Sequence, residues 1–120
     1  MNHEVPAIVI PVFNRPKALT RLLFSLKNAF YPEENVRLVI SVEGCAQPPV
    51  KEIAEALYWP FGDKHVKYQQ YQLGLEQHLL LCGSLTQEFN QPVIIFEDDL
   101  FASPYFYSWA LKALELTTCD

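Results

Sequence analysis

Apolar runs and amphipathic segments alternate along the chain. Residues 5–12 form an almost wholly apolar run rich in β-branched side chains, which is typical of a strand buried on both faces of a parallel sheet. The apolar positions of the next segment recur with the spacing of one helix face: Leu19, Leu22, Leu23, Leu26 and Phe30. Because Pro16 falls in the first turn of that segment, we predict a strand followed by a helix.

The same alternation repeats three more times. Residues 36–42, 66–71 and 93–96 are the further predicted strands, and 93–96 is the most apolar of them, so we expect it to be the most buried. A second helix, centred on Ile53, has to end before Pro60, and a third covers about 75–89. Ser103 and Pro104 provide the N-cap and the first residue of a fourth helix.

Strands and helices in this order predict an α/β fold. Right-handed crossovers between parallel strands place helices on both faces of the sheet, so we expect a Rossmann-like fold with a mostly parallel sheet. Ligands of such sheets bind outside the carboxyl ends of the strands, near the point where the strand order reverses. The candidate functional residues are therefore those that follow each predicted strand.

The composition is that of one globular domain, residues 1–120. Half of the residues are hydrophobic and 19% are charged, without a low-complexity tract. The net charge of -5, with nine Lys and Arg scattered along the chain, argues against nucleic acid as a partner. Cys45, Cys82 and Cys119 are odd in number and lack the spacing of a metal site, which predicts idle thiols.

The sequence also bears on location. The apolar runs are well short of the ~20 residues that cross a bilayer, and residues 1–4 lack the basic region of a signal peptide. We therefore expect a cytoplasmic protein without a transmembrane segment, with peripheral attachment to a membrane left open.

The loop after the first strand offers positive charge beside a helix N-terminus. Phe13, Asn14 and Arg15 follow the strand directly, and the N-terminal end of a helix attracts phosphate. The alternative is that Asn14 caps the helix while Arg15 is solvated. A glycine-rich phosphate-binding fingerprint is missing from this loop.

Two further polar residues have open roles. Glu43 follows the second strand, where its carboxylate could accept a hydrogen bond from a base or ribose or lie in an ordinary surface turn. His78, early in the third helix, could face the same crevice or lie on an exposed helix face.

The fourth predicted strand runs directly into three carboxylates, Glu97, Asp98 and Asp99. Like charges this close raise one another's pKa values unless a positive group neutralises them, so a divalent cation is a natural partner. Mn²⁺ or Mg²⁺ suits such oxygen ligands and takes its remaining ligands from water and phosphate. The alternative is a solvated loop that caps the next helix.

Three segments resemble the N-terminal part of GT-A glycosyltransferases, including the large family 2 and the N-acetylglucosaminyltransferase I group. They are AIVIPVFNRPKALTRLLFSL, LVISVEG and, most specifically, VIIFEDDLFASPYF. The resemblance implies a nucleotide-sugar-binding domain in which Asp99 ligates Mn²⁺ (or Mg²⁺) that bridges the diphosphate. It also implies that residues from the loop after the first strand and from the acidic run lie along the donor: Val12, Phe13, Asn14, Arg15, Glu97 and Asp98.

The resemblance also sets expectations for the donor and the reaction. Glu43 stands where the family has an Asp that reads uracil, which favours a UDP-sugar as donor but leaves the base open. Family members continue into a second half that binds a glycan or other hydroxyl acceptor and supplies the general base of an inverting transfer. No residue here matches that base, so we expect this chain to be the donor half of a longer enzyme.

Two alternatives stay open. A nucleotidyltransferase shares this kind of fold but typically carries a glycine-rich, basic loop after its first strand, and that loop is missing here. A non-catalytic module that binds a nucleotide sugar, or that has a purely structural role, is the second alternative. Whether the protein forms homo-oligomers is also open.

Overall fold

The computed structural model describes residues 5–33 and 35–117, so Cys119 lies outside the described residues. Four strands within that part of the chain are β1 (Ala7–Val12), β2 (Leu38–Val42), β3 (Lys64–Tyr68) and β4 (Val93–Ile95). They alternate with α1 (Pro16–Lys27), α2 (Pro48–Ala56), α3 (Gly74–Phe89) and α4 (Phe106–Thr117). None of these helices is long and apolar enough to cross a membrane.

The strands form one parallel sheet in the order β3-β2-β1-β4. The chain adds β2 and β3 on one side of β1 and then crosses over to add β4 on the other side. The strand order therefore reverses between β1 and β4, which is where parallel α/β sheets bind ligands. This topology confirms the prediction of a Rossmann-like α/β fold.

The core has two layers, one on each face of the sheet. Alternate residues of β1 and β2, such as Ile8 and Ile10, pack with the leucines of α1, with α2 and with Tyr107 of α4. Val9 of β1 points to the opposite face, where it packs against Cys82 and Leu85 of α3. Each such fully buried aliphatic side chain contributes roughly 1.5–3 kcal/mol, so β1 and β2 are the most strongly anchored strands.

The prediction that the fourth strand is the most buried was wrong. All residues of β1 and β2 are buried, whereas the three residues of β4 are only partly buried. The reason is position, because β4 is an edge strand that pairs with β1 on one side only. Its apolar sequence reflects contacts with α3 and α4 and not enclosure in the centre of the sheet.

Several predicted boundaries also differ from the structure. The third strand spans 64–68 and not 66–71, and α1 ends at Lys27, which leaves Phe30 outside the helix with 54% of its surface exposed. Ser103 and Pro104 do not open α4. They form a turn in which the Ser103 carbonyl accepts the N–H of Phe106, the first residue of the helix.

Candidate functional site

An open cavity of about 290 Å³ lies at the carboxyl ends of the strands. Loops that follow all four strands line it, and the reversal between β1 and β4 falls beneath it. The lining residues are Phe13, Asn14, Arg15, Glu43, Cys45, Gln72, Gly74, Leu75, Glu97, Asp98 and Asp99. The fold thus brings the basic loop after β1 and the acidic run after β4 to one place.

Asp98 joins the ends of β1 and β4. Its carboxylate oxygen Oδ2 accepts the backbone N–H of Phe13 at 3.1 Å, and the residue is only 3% exposed. Burial raises the pKa of the Asp98 carboxyl, and the N–H of Phe13 and the charge of Arg15 oppose that rise only in part. Asp98 therefore connects the loop after β1 to the loop after β4 in the wall of the cavity.

Arg15 and Asp99 form an ion pair at the mouth of the cavity. Nη1 of Arg15 lies 3.2 Å from Oδ2 of Asp99, and the two side chains are 61% and 49% exposed. A pair this exposed contributes little to stability, about 0–1 kcal/mol. Both groups therefore remain available to an anionic ligand or a cation that enters the cavity.

The acidic run can be tested against the chemistry of a divalent cation. Within residues 5–33 and 35–117, no three His, Cys, Asp or Glu side chains are arranged to hold a metal ion among themselves. Mg²⁺ and similar ions are, however, commonly bound by one or two carboxylates with phosphate and water completing the shell. Asp99 is half-exposed at the cavity. Its carboxylate could therefore provide one oxygen ligand to an ion that takes its other ligands from a phosphate group and water.

Glu43 is buried and hydrogen-bonded to the backbone. Oε1 accepts the N–H groups of Gly44 at 3.1 Å and Leu73 at 2.9 Å, and Oε2 accepts that of Gly74 at 2.8 Å. Burial alone would raise the pKa of this carboxyl, but the three N–H groups, together with the nearby His78, bring the pKa below its usual value. The interpretation of Glu43 as part of an ordinary surface turn is wrong, since the residue is 3% exposed.

His78 is fully buried behind Glu43. Its Nε2 lies 2.7 Å from Ser41 Oγ, and its Nδ1 has no hydrogen bond and lies 3.9 Å from Glu43 Oε1. Ser41 Oγ also accepts a hydrogen bond from Gln69 at 3.0 Å, and whether the hydroxyl or Nε2 donates in the Ser41–His78 bond depends on the imidazole tautomer. Burial lowers the pKa of His78, against the opposing effects of Glu43 and Ser41.

Three sequence-based expectations about these residues need correction. His78 does not lie on an exposed helix face, and it does not line the cavity; its ring packs edge-on against Phe13. Val12 is likewise absent from the lining, because its side chain is buried in the core. Asn14 does not cap α1, since its Oδ1 accepts the N–H of Gln47 at 2.7 Å.

Four lining residues were not predicted from the sequence: Cys45, Gln72, Gly74 and Leu75. The last three lie at the junction of the predicted strand 66–71 and the predicted helix that begins at about 75, and none of them carries a charge that would mark a binding residue. Gly74 carried a usable signal, because it starts α3 with a φ of 81°, a conformation that favours glycine. Cys45 is an exposed free thiol, whereas the free thiol of Cys82 is buried.

The parallel sheet with a cavity at its strand reversal defines a Rossmann-like α/β fold. More particularly, the chain has the fold of part of the S. aureus glycosyltransferase TarS. TarS 1–349 matches 92% of this chain with a TM-score of 0.72 at 17% identity. The complexes of TarS 1–349 with UDP and with UDP-GlcNAc match with TM-scores of 0.73 and 0.71, again at 17% identity and 92% of this chain.

This similarity is structural and covers a part of the neighbours. The chain spans 32% of TarS 1–349 and 20% of the longer TarS structure. No protein-family model matches the sequence, and neither does any curated protein. The Rossmann-like fold that this chain shares with part of TarS is thus confirmed, while membership of the GT-A glycosyltransferases, in family 2 or in the N-acetylglucosaminyltransferase I group, stays a prediction.

Proposed function

We propose that this chain binds the nucleoside diphosphate part of a nucleotide sugar and forms the donor site of a glycosyltransferase. A UDP-sugar is the favoured donor, because two of the structural neighbours are complexes with UDP and UDP-GlcNAc. The acceptor is the hydroxyl of a glycan or a similar compound. The general base for an inverting transfer is expected from outside the part of the chain described by the structure.

One observation carries this proposal, namely the meeting of Arg15 and Asp99 at the cavity where the strand order reverses. A diphosphate needs positive charge, and the net charge of the chain is -5. The cavity supplies positive charge locally, because the guanidinium can bind a phosphate oxygen and the carboxylate can hold a cation together with the diphosphate. The sign of the overall charge is then no obstacle to an anionic ligand.

Each group has a distinct task in the proposed site. Arg15 binds a phosphate oxygen through its planar donors, and Asp99 gives one ligand to Mn²⁺ or Mg²⁺. The cation would supply electrostatic stabilisation of the charge that grows on the departing diphosphate. Asp98 keeps the loop after β1 fixed to the end of β4 through Phe13, so that Arg15 and Asp99 stay adjacent.

Calorimetric titration of uridine and guanosine diphosphates, with and without Mn²⁺, tests the proposal. We expect uridine diphosphate to bind the wild-type chain only with Mn²⁺. Asp99→Ala should weaken that binding at least about tenfold, which corresponds to about 1.4 kcal/mol, because the carboxylate ligand is lost. Guanosine diphosphate is expected to bind more weakly.

Asp63→Ala is the matched control. Asp63 is also an exposed aspartate paired with an arginine, Arg37 at 3.6 Å, but it does not line the cavity. Its replacement should leave nucleotide affinity unchanged. Absence of nucleotide binding by the correctly folded wild-type chain would contradict the proposal and favour a purely structural module.

Turnover is a separate question from binding. Release of free uridine diphosphate from a UDP-sugar would identify an active enzyme, while metal-dependent binding without release would identify a nucleotide-sugar-binding module. A nucleotidyltransferase would instead release pyrophosphate from a nucleoside triphosphate. These three readouts separate the proposed function from its two alternatives.

A further inference from the structure

The carboxylate of Glu43 is fully engaged with the protein's own backbone. Its three partners are the N–H groups of Gly44, Leu73 and Gly74, at 2.8–3.1 Å. Oε1 accepts two of these bonds, which uses both of its lone pairs, and Oε2 accepts the third. With the residue only 3% exposed, a base in the cavity has little access to the remaining lone pair.

Gly44 gives a second, independent contact between the same two segments. A Cβ atom at Gly44 would overlap the backbone carbonyl group of Tyr71. The end of β2 and the loop before α3 therefore touch backbone to backbone, which only a residue without a side chain allows. Glu43 and Gly44 together fix the position of residues 71–74.

That loop is also part of the cavity wall. Gln72, Gly74 and Leu75 line the cavity on the side opposite the acidic run of β4. Hydrogen bonds to an ionised carboxylate are among the stronger ones in proteins, and here two of them are donated by Leu73 and Gly74 of this loop. The shape of the cavity thus depends on a lining side chain whose carboxylate is already bound to the backbone.

We propose that Glu43 is a positioning residue of the nucleotide site. It holds residues 71–75, which form one wall of the cavity, in place and does not itself hydrogen-bond to the base. The inference rests on the proposed function, because it concerns how the same cavity is built. The consequence is specific, because loss of the Glu43 contacts should lower the affinity for every nucleoside diphosphate by the same factor. A base-reading residue would instead change the preference among bases.

Affinities of uridine, cytidine, guanosine and adenosine diphosphates for Glu43→Gln and Glu43→Asp provide the test. The Asp variant keeps the charge but is one methylene shorter, so it cannot reach both Leu73 and Gly74. We expect both variants to bind all four nucleotides about tenfold more weakly, the equivalent of one lost hydrogen bond to a charged group. The ratios among the four affinities should match those of the wild type.

Amide hydrogen exchange separates a local effect from general destabilisation. In both variants the exchange of the Leu73 and Gly74 amides should accelerate by a larger factor than that of the central strand residues Val9 and Ile10, which reports global unfolding. Glu52→Gln, the same chemical change at an exposed position of α2, should alter neither affinity nor exchange.

Gly44→Ala moves the same wall while leaving the Glu43 side chain itself unchanged. The methyl group of the alanine has to displace the backbone at Tyr71, so this variant too should lower the affinities for all four nucleotides by the same factor. A change in the ratios among bases in any Glu43 variant would overturn the inference while leaving the proposed function intact. Failure of the wild-type chain to bind any of the four would overturn the proposed function and this inference with it.

Discussion

At the scale of single residues, the buried pair of Glu43 and His78 governs how the protein responds to acid. The two side chains are 3.9 Å apart and almost completely shielded from solvent. Burial lowers the pKa of His78, and hydrogen bonds to the backbone lower that of Glu43. The folded protein therefore favours a neutral imidazole beside a charged carboxylate.

We expect the contribution of His78 to the free energy of unfolding to fall as the pH decreases below about 6.5, the usual pKa of a histidine in an unfolded chain. In that range the unfolded chain takes up a proton at His78 and the folded protein does not, so the slope is at most about 1.4 kcal/mol per pH unit. Denaturant titrations between about pH 5 and pH 7 avoid the separate loss from Glu43, which begins below its unfolded pKa of about 4.3.

His78→Gln should have a flatter pH dependence over that range. His65→Gln changes an exposed histidine of β3 and serves as the control that keeps the wild-type slope. Equal slopes for wild type and His78→Gln would show that His78 is not the group responsible.

The sequence predicted which residues carry chemistry better than it predicted what they contact. The strand-end placement of Arg15 and Asp99 followed from the pattern, because the carboxyl ends of parallel strands meet at one edge of the sheet. The burial of Glu43 did not, since it depends on three N–H groups, two of them about thirty positions away. A side chain's access to solvent is decided by the loop that covers it, and that loop has no periodic pattern to reveal it.

At the scale of the elements, α4 is attached to the sheet by one buried polar contact within an apolar cluster. The hydroxyl of Tyr107 donates to the carbonyl of Pro6 at 2.7 Å, just before β1, and Tyr107 is fully buried. Its ring packs against Tyr31 and Phe106 at centroid distances of 5.3 and 5.9 Å. The last helix is thereby fixed to the first strand.

Tyr107→Phe should lower the free energy of unfolding by about 1 kcal/mol, because the Pro6 carbonyl loses its partner while the aromatic packing is kept. Tyr58→Phe makes the same change at a side chain that is 71% exposed, and its effect should stay within about 0.5 kcal/mol. Urea denaturation of both variants measures the difference. Equal effects would mean that the buried hydrogen bond adds nothing.

Elements with a strong apolar period were predictable and those set by tertiary contacts were not. β1, β2 and α1 follow directly from their apolar patterns, and Pro16 is indeed the first residue of α1. The ends of β3 and the start of α4 depend instead on pairing with β2 and on the turn at Ser103. These interactions override local signals such as a favourable N-cap sequence.

At the scale of the whole molecule, a ligand that bridges the ends of β1 and β4 should stabilise the entire sheet. A ligand at 100 times its dissociation constant adds about 2.7 kcal/mol to the free energy of unfolding. For a domain of this size that corresponds to a rise in Tm of roughly 10 °C. We expect this rise in scanning calorimetry with uridine diphosphate and Mn²⁺ together.

Asp99→Ala should show at most about half of this rise at the same ligand concentration, because a tenfold weaker affinity leaves about 1.4 kcal/mol of stabilisation, while Asp63→Ala should match the wild type. A rise of the same size with Mn²⁺ alone would place the stabilisation in the cation and contradict a site completed by the nucleotide.

The hydrogen bond from Phe13 to Asp98 has a consequence for how the protein folds. It joins positions 85 residues apart, and β4 pairs with β1 across a similar separation. Contacts between distant positions form slowly, because a long loop has to close before they give any stabilisation. The first three strands can assemble from neighbouring segments, but the cavity needs the last one. We therefore expect the ability to bind a ligand to be among the latest properties acquired as the chain folds.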